Sequence, residues 1–199
     1  LDYARAKGAD IKPGKALDFG CGVGRLTQAL AKTFAEVAGV DISASMLEGA
    51  RKFNRFGDKC KYYLNTSNDL RLFRDGEFDF IYSRITLQHI RPDYARNYIK
   101  EFLRILKPGG ILLFQVTSEP VIYEAKGLKG FIKKMMPKFL LNLYRRLRYE
   151  RGVRIPMFGI PRPEVIKLLE ESGAKIIDTK EDTIAGAAWT GYLYLAQKK

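Results

Sequence analysis

Short apolar runs alternate with amphipathic stretches along the 199 residues. Residues 15–19 read as a buried strand, and Gly20, Gly22 and Gly24 follow in a turn without side chains. Residues 25–35 then predict a helix with Leu26, Ala29, Leu30 and Phe34 on one face. A second strand covers 37–40 and ends at Asp41. Ser43 or Ser45 is placed to cap a helix running to Phe53, and Ser45 with Glu48 has capping-box spacing. Residues 60–64 and 78–83 predict two more strands. A helix over 93–106 is stopped by Lys107-Pro108-Gly109-Gly110, and 111–116 is a fifth strand. Residues 161–172 form a helix ending at Gly173. Residues 175–179 and 192–196 then close as an antiparallel pair around a connection that holds Trp189. Residues 1–8 read as the end of a leading helix. This alternation predicts an α/β protein, a parallel sheet with helices on both faces, in one domain over 1–199.

The pattern breaks at 118–159. Within it, residues 138–151 are amphipathic: Leu140, Leu143, Tyr144 and Leu147 share a face, and Arg145, Arg146, Arg148 and Arg151 lie mostly off it. Of the net charge of +13, residues 121–155 carry +8, from ten Lys/Arg against two acids. A helical basic insertion over 118–159, lying over the site as a lid, is the expected arrangement. Its charge points to an acidic or phosphorylated acceptor or to an anionic membrane surface. A merely solvated cover is the plain alternative. Nucleic acid is disfavoured as a partner, because no base-reading motif accompanies the charge.

Composition narrows the picture further. No run approaches the roughly 18 apolar residues that span a bilayer, and no signal peptide is visible. Cys21 and Cys60 make no disulfide scaffold, so the expected setting is cytoplasmic and reducing, with peripheral membrane contact if the basic segment docks. One histidine and two scattered cysteines argue against a zinc site, and no metal is expected. Oligomeric state is not legible.

The glycine turn supplies the candidate chemistry. Asp41 follows Gly22 by 19 residues at the end of the next strand, where an acid can accept the hydroxyls of a ribose. The dinucleotide fingerprint is G-x-G-x-x-G, whereas here the glycines run G-x-G-x-G and Arg25 stands at the third position. The spacing therefore favours a nucleoside ligand without a pyrophosphate. No phosphate-binding Gly-Lys-Ser/Thr loop and no Gly-x-Ser-x-Gly nucleophile elbow occurs.

Four segments, in order, carry a family resemblance. They are Leu17-Asp18-Phe19-Gly20-Cys21-Gly22-Val23-Gly24, Val40-Asp41-Ile42-Ser43-Ala44-Ser45-Met46-Leu47, Phe78-Asp79-Phe80-Ile81-Tyr82-Ser83 with Leu87-Gln88-His89-Ile90, and Leu103-Arg104-Ile105-Leu106-Lys107-Pro108-Gly109-Gly110. Together they resemble the small-molecule branch of class I S-adenosylmethionine-dependent methyltransferases. The resemblance implies a Rossmann-like three-layer sandwich, whose seven-stranded, mostly parallel sheet has an antiparallel last strand. It implies S-adenosyl-L-methionine as cofactor and a small-molecule acceptor. Gly20, Cys21 and Gly22 would pass under its methionine part, Asp41 would hold the ribose, and Ile42 and Met46 would pack on the adenine. Thr66 and Ser67 would touch the adenine edge. The family commonly has an acid or Asn there, so Asn65 or Asn68 could supply that contact instead. Ser83 and Arg84 would border the reaction centre, and His89 is the candidate general base or, alternatively, a loop-holding residue. The implied function is methyl transfer to an anionic or lipid-associated acceptor. The alternatives are a non-catalytic cofactor-binding module, or a membrane-surface or nucleic-acid-binding protein on the same fold.

Overall fold

The structure, a computed structural model, describes residues 1–120, 156–186 and 188–199. The elements are α1 (Asp2–Ala6), β1 (Lys15–Phe19), α2 (Arg25–Leu30), β2 (Glu36–Asp41), α3 (Ala44–Lys52), β3 (Cys60–Leu64), β4 (Phe78–Ser83), α4 (Pro92–Ile105), β5 (Leu106–Pro120), α5 (Arg162–Glu171), β6 (Ala174–Asp182) and β7 (Trp189–Lys198). They build one seven-stranded sheet in the order β3-β2-β1-β4-β5-β7-β6. β7 inserts between β5 and β6 and runs antiparallel to both, while the other neighbours pair in parallel. Most of the basic segment predicted as an insertion, residues 121–155, lies outside the described residues.

Each sheet face buries its own core, which makes the third layer necessary. On one face α4 and α5 place Ile99, Phe102, Leu103 and Leu169 on Leu17, Phe19 and Leu112. On the other, Leu30, Phe34 and Leu47 cover Ala16, Val37 and Phe80, and Phe34 stacks on Phe80 at 5.2 Å. β1 lies at the reversal of strand order: the chain first builds outward to β2 and β3, then crosses to β4 and β5. Loops leaving the carboxyl ends of β1 and β4 therefore diverge and leave a crevice between them.

Three local expectations change. The buried face of α2 is Thr27 and Leu30, continued by Ala31 and Phe34, whereas Leu26 and Ala29 are exposed. The cause is polar: the Thr27 hydroxyl donates to the buried Asp18 carboxylate at 2.7 Å, which turns the helix about its axis. β5 absorbs Lys107-Pro108-Gly109-Gly110 as a bulge, its pairing with β4 jumping from Phe78–Leu106 to Phe80–Ile111. It also runs on to Pro120, so Trp189 has a strand partner there and belongs to β7 rather than to the connection.

Phe102 joins the core to the crevice floor. It is fully buried and meets Phe19 edge-on at 5.0 Å. Phe102→Ala is expected to cost about 3–5 kcal/mol of stability, read from urea unfolding. A loss under about 1 kcal/mol would show that the site collapses to fill the void.

Candidate active site

The crevice is a cleft of about 1000 Å³ at the carboxyl ends of β1, β2, β3 and β4. Its glycine turn hangs from two strand ends. Gly20 N–H and Cys21 N–H both donate to Val40 O, at 2.8 and 3.0 Å. Asp41 then closes the turn from the far side. One carboxylate oxygen accepts Gly22 N–H at 2.8 Å and the other accepts Ser43 N–H at 2.9 Å. A carboxylate has about four lone-pair sites, so these two bonds orient Asp41 and leave acceptor capacity facing the cleft.

The requirements for glycine at Gly20 and Gly22 differ. At Gly20, with φ +78°, an added Cβ would lie 2.1 Å from the Thr86 hydroxyl, so the neighbouring loop alone excludes a side chain. At Gly22, with φ +52°, an added Cβ would meet nothing within 4 Å. That position borders open space in the cleft, and here a ligand can reach the backbone.

Among the residues singled out from sequence, Gly20, Gly22, Asp41, Ile42, Met46, Thr66, Ser67 and His89 come together on the cleft wall. Cys21, Ser83 and Arg84 are not part of that wall. Cys21 is buried, and burial, aided by the Asp18 and Asp41 charges, pushes its thiol well up, which keeps it protonated and inert. Ser83 is fully buried and donates to Phe19 O at 3.1 Å. The Arg84 guanidinium turns toward β6 and pairs with Asp182 at 2.9 Å. Asn65 spends its amide on the loop after β3, donating to Asp69 O at 2.9 Å and accepting Ser67 N–H at 3.3 Å. Asn68 remains exposed on the wall.

Sequence reasoning missed the aromatic and aliphatic half of the wall: Phe19, Ile85, Ile90, Tyr94 and Tyr98. The i, i+4 spacing of Tyr94 and Tyr98 on α4 was the available signal. Tyr98 packs on Phe19 at 4.6 Å and donates to Ser67 O at 2.5 Å, tying α4 to the loop after β3. Among the described residues the wall carries two charged groups, Asp41 and Asp69, and no Lys or Arg.

His89 ends a hydrogen-bond chain whose polarity is fixed at both ends. Ile85 N–H, an obligatory donor, gives to Gln115 Oε1 at 3.1 Å. Gln115 Nε2 must then donate to Gln88 Oε1, at 3.2 Å. Gln88 Nε2 faces His89 Nε2 at 3.2 Å, and His89 Nδ1 faces Pro156 O, which can only accept, at 3.1 Å. Nδ1 is therefore the nitrogen that donates, to Pro156 O, and Nε2 the one that accepts from Gln88. Both glutamines are buried. The arrangement suits holding the loop more than abstracting a proton.

Known proteins share this architecture. A family model described as "Methyltransferase domain" matches residues 17–114. The demethylmenaquinone methyltransferase of Staphylococcus carnosus is 32% identical over 188 residues, which cover 92% of this chain and 77% of that one. A SAM-dependent methyltransferase of Methanosarcina mazei aligns with a TM-score of 0.66 at 23% identity over 92% of both chains. The magnesium protoporphyrin IX methyltransferase of Synechocystis, solved with bound SAH, gives 0.67 at 18% identity, over 100% of this chain and 79% of that one. The chain belongs to the class I S-adenosylmethionine-dependent methyltransferases. It is an enzyme that uses S-adenosylmethionine as its methyl donor.

Two outcomes are expected from this geometry. Burial raises the Asp18 carboxyl to about 6, opposed by the Thr27 bonds and reinforced by the Asp41 charge. The folded state then holds a proton that the unfolded chain has released. Its contribution, on the order of 3 kcal/mol, is full below the unfolded value and lost as pH rises through about 6. Urea midpoints should fall as pH rises from about 4 to about 7, and Asp18→Asn should flatten that slope. For the single imidazole, long-range nitrogen–proton NMR spectra of the neutral ring should show the proton on Nδ1. A proton on Nε2 would break the chain of bonds.

Proposed function

We propose that this enzyme methylates a flat, uncharged, lipid-soluble ring of the demethylmenaquinone type, in its reduced form. The observation that carries the reading is the cleft wall. One half presents Gly22, Asp41, Ile42 and Met46, and the other presents Phe19, Ile85, Ile90, Tyr94 and Tyr98, with no described cation among them. Such a wall favours a cationic or neutral occupant over a phosphorylated one. The name of the Staphylococcus relative, shared over most of this chain, supports the same class. An anionic acceptor would depend on residues 121–155, which lie outside the described residues.

The residues fit the cofactor. The open backbone at Gly22 admits its amino-acid part, the remaining lone pairs of Asp41 accept its ribose hydroxyls, and Ile42 and Met46, 73% and 47% exposed, offer apolar faces to its base. Thr66, Ser67 and Asn68 border the place where the base edge would lie. The carboxylates Asp41 and Asp69 favour the positive charge of the sulfonium. When bound, the cofactor supplies an activated methyl group, and its sulfur keeps the bonding pair as that methyl leaves.

The chain's own work is alignment. Phe19 and Tyr98 form an apolar floor against which a ring can lie, and Ile85 and Ile90 close the side nearest β4. Holding two reactants in line is worth about 7–11 kcal/mol in effective molarity. A reduced quinone ring brings its own electron-rich carbon, and the proton it releases passes to water. His89 then holds the loop and is not required as a base.

Asp41→Ala should weaken S-adenosylmethionine binding about 10- to 150-fold in calorimetry, the loss of charged hydrogen bonds of about 1.5–3 kcal/mol. Unchanged affinity in the folded variant would remove Asp41 from the site. For the acceptor, incubation with S-adenosylmethionine and a reduced short-chain demethylnaphthoquinone should yield a singly methylated ring by mass spectrometry. Absence of product, with the cofactor bound, would reject the quinone class.

A further inference from the structure

A second concavity lies between the α2 segment and the chain that follows α3. It is a groove of about 510 Å³, walled by Arg25, Ala29 and Lys32 from the α2 segment and by Phe53, Arg55 and Phe56 after α3. Arg25, Ala29 and Lys32 share one helical face by their i, i+4, i+7 spacing. That face is free because Thr27, tied to Asp18, turns the other one inward. Among the described residues no carboxylate belongs to the wall. Phe53 is 62% exposed with Lys52 over its ring at 5.7 Å, and Val23, also on the wall, is 49% exposed.

These apolar groups are not scattered. Met46 and Phe53 fall on one face of α3, seven residues apart. Between them, Val23 Cγ1 lies 3.5 Å from where a Cβ on Gly49 would stand. A strip of Met46, Val23 and Phe53 therefore runs from the cleft mouth, where Met46 and Ile42 stand exposed, into the groove. Single exposed hydrophobes are ordinary, but a continuous strip rimmed by cations marks an interaction surface. Glu48, the acid of α3, lies about 160° around the helix from Met46, away from the strip.

We propose that this strip and its basic rim dock the enzyme on an anionic lipid bilayer. Phe53 and Val23 enter the headgroup boundary, and Arg25, Lys32, Lys52 and Arg55 meet lipid phosphates, the combination that holds interfacial helices to membranes. The cleft mouth at Ile42 and Met46 then opens at headgroup level, where a lipid-soluble acceptor would enter. The docking itself rests on the groove and its charge, and not on the identity of the acceptor.

The test compares the full chain with its Lys32→Glu, Phe53→Ser, Arg55→Glu variant. Both are sedimented with phosphatidylcholine vesicles, with and without about one-third phosphatidylglycerol. Residues 121–155 are common to both chains, so their charge cancels in the ratio. The wild type should bind the anionic vesicles at least about tenfold more tightly than the variant at low salt, and its binding should fade at about 0.5 M salt. Equal S-adenosylmethionine affinity in the two chains certifies the fold; if the triple variant loses it, the Lys32→Glu, Arg55→Glu double variant takes its place. A difference below about threefold overturns the proposal. So does equal binding to neutral vesicles, or a change of oligomeric state in place of vesicle binding, which would make the strip a contact between two copies of this chain. Vesicle binding without methylation of a reduced quinone would remove the quinone reading and leave the docking surface standing.

Discussion

The carbonyl of Phe19 is the point on which the cleft depends. The β1–β4 pairing stops at Asp18, so this carbonyl has no ladder partner from β4. Two hydroxyls replace it, Ser83 at the end of β4 at 3.1 Å and Thr86 in the loop beyond at 3.3 Å. They pull Thr86 so close to Gly20 that no side chain fits there. The glycine turn is thereby pinned to the β4 loop on one side and, through Val40 O and Asp41, to β2 on the other. A buried carbonyl without a partner would cost about 1–3 kcal/mol. The serine and threonine thus serve the shape of the cleft without touching its contents.

The same loop stores strain. Ile85 has φ +61°, an uncommon conformation for a β-branched residue, and lines the cleft. Such a residue costs about 1–3 kcal/mol and persists only where its surroundings fix it. Gln115 does so by accepting its N–H, and the chain through Gln88 and His89 extends that hold to Pro156, where the described chain resumes. Phe158 N–H adds a bond to Gln88 O at 2.8 Å, and Ile160 N–H one to Thr117 O at 2.8 Å. The wall of the cleft and the returning segment 156–160 are therefore parts of one hydrogen-bonded unit.

Charge is divided between inside and outside. The protein as a whole is +13, yet the described cleft wall has only carboxylates as charged groups. Cations instead stand around the α2–α3 groove, whose wall holds Arg25, Lys32 and Arg55. A positively charged cofactor and an uncharged ring suit the interior, and an anionic surface suits the exterior. The net charge alone would have suggested an anionic ligand in the site.

The sequence by itself determined the strands, the turn and the cofactor class. β1, β3 and β4 begin and end where the apolar runs do, and Gly22 and Asp41 meet as their spacing requires. This follows because strand periodicity and glycine turns are local: the residues that make them also define them. What a side chain faces is not local. Ser83 ends β4 and Arg84 follows it, but Ser83 is claimed by the Phe19 carbonyl and Arg84 by Asp182, 98 residues away. α2 faces inward through Thr27 because Asp18 is buried beneath it, a partnership no helical period reveals. Trp189 joined a strand because β5 ran four residues past its apolar run. Only the tertiary structure brought Phe19, Ile85 and Tyr98 onto one wall, because burial and polar pairing between distant strands, and not the pattern along any one of them, decide which groups are left to face a ligand.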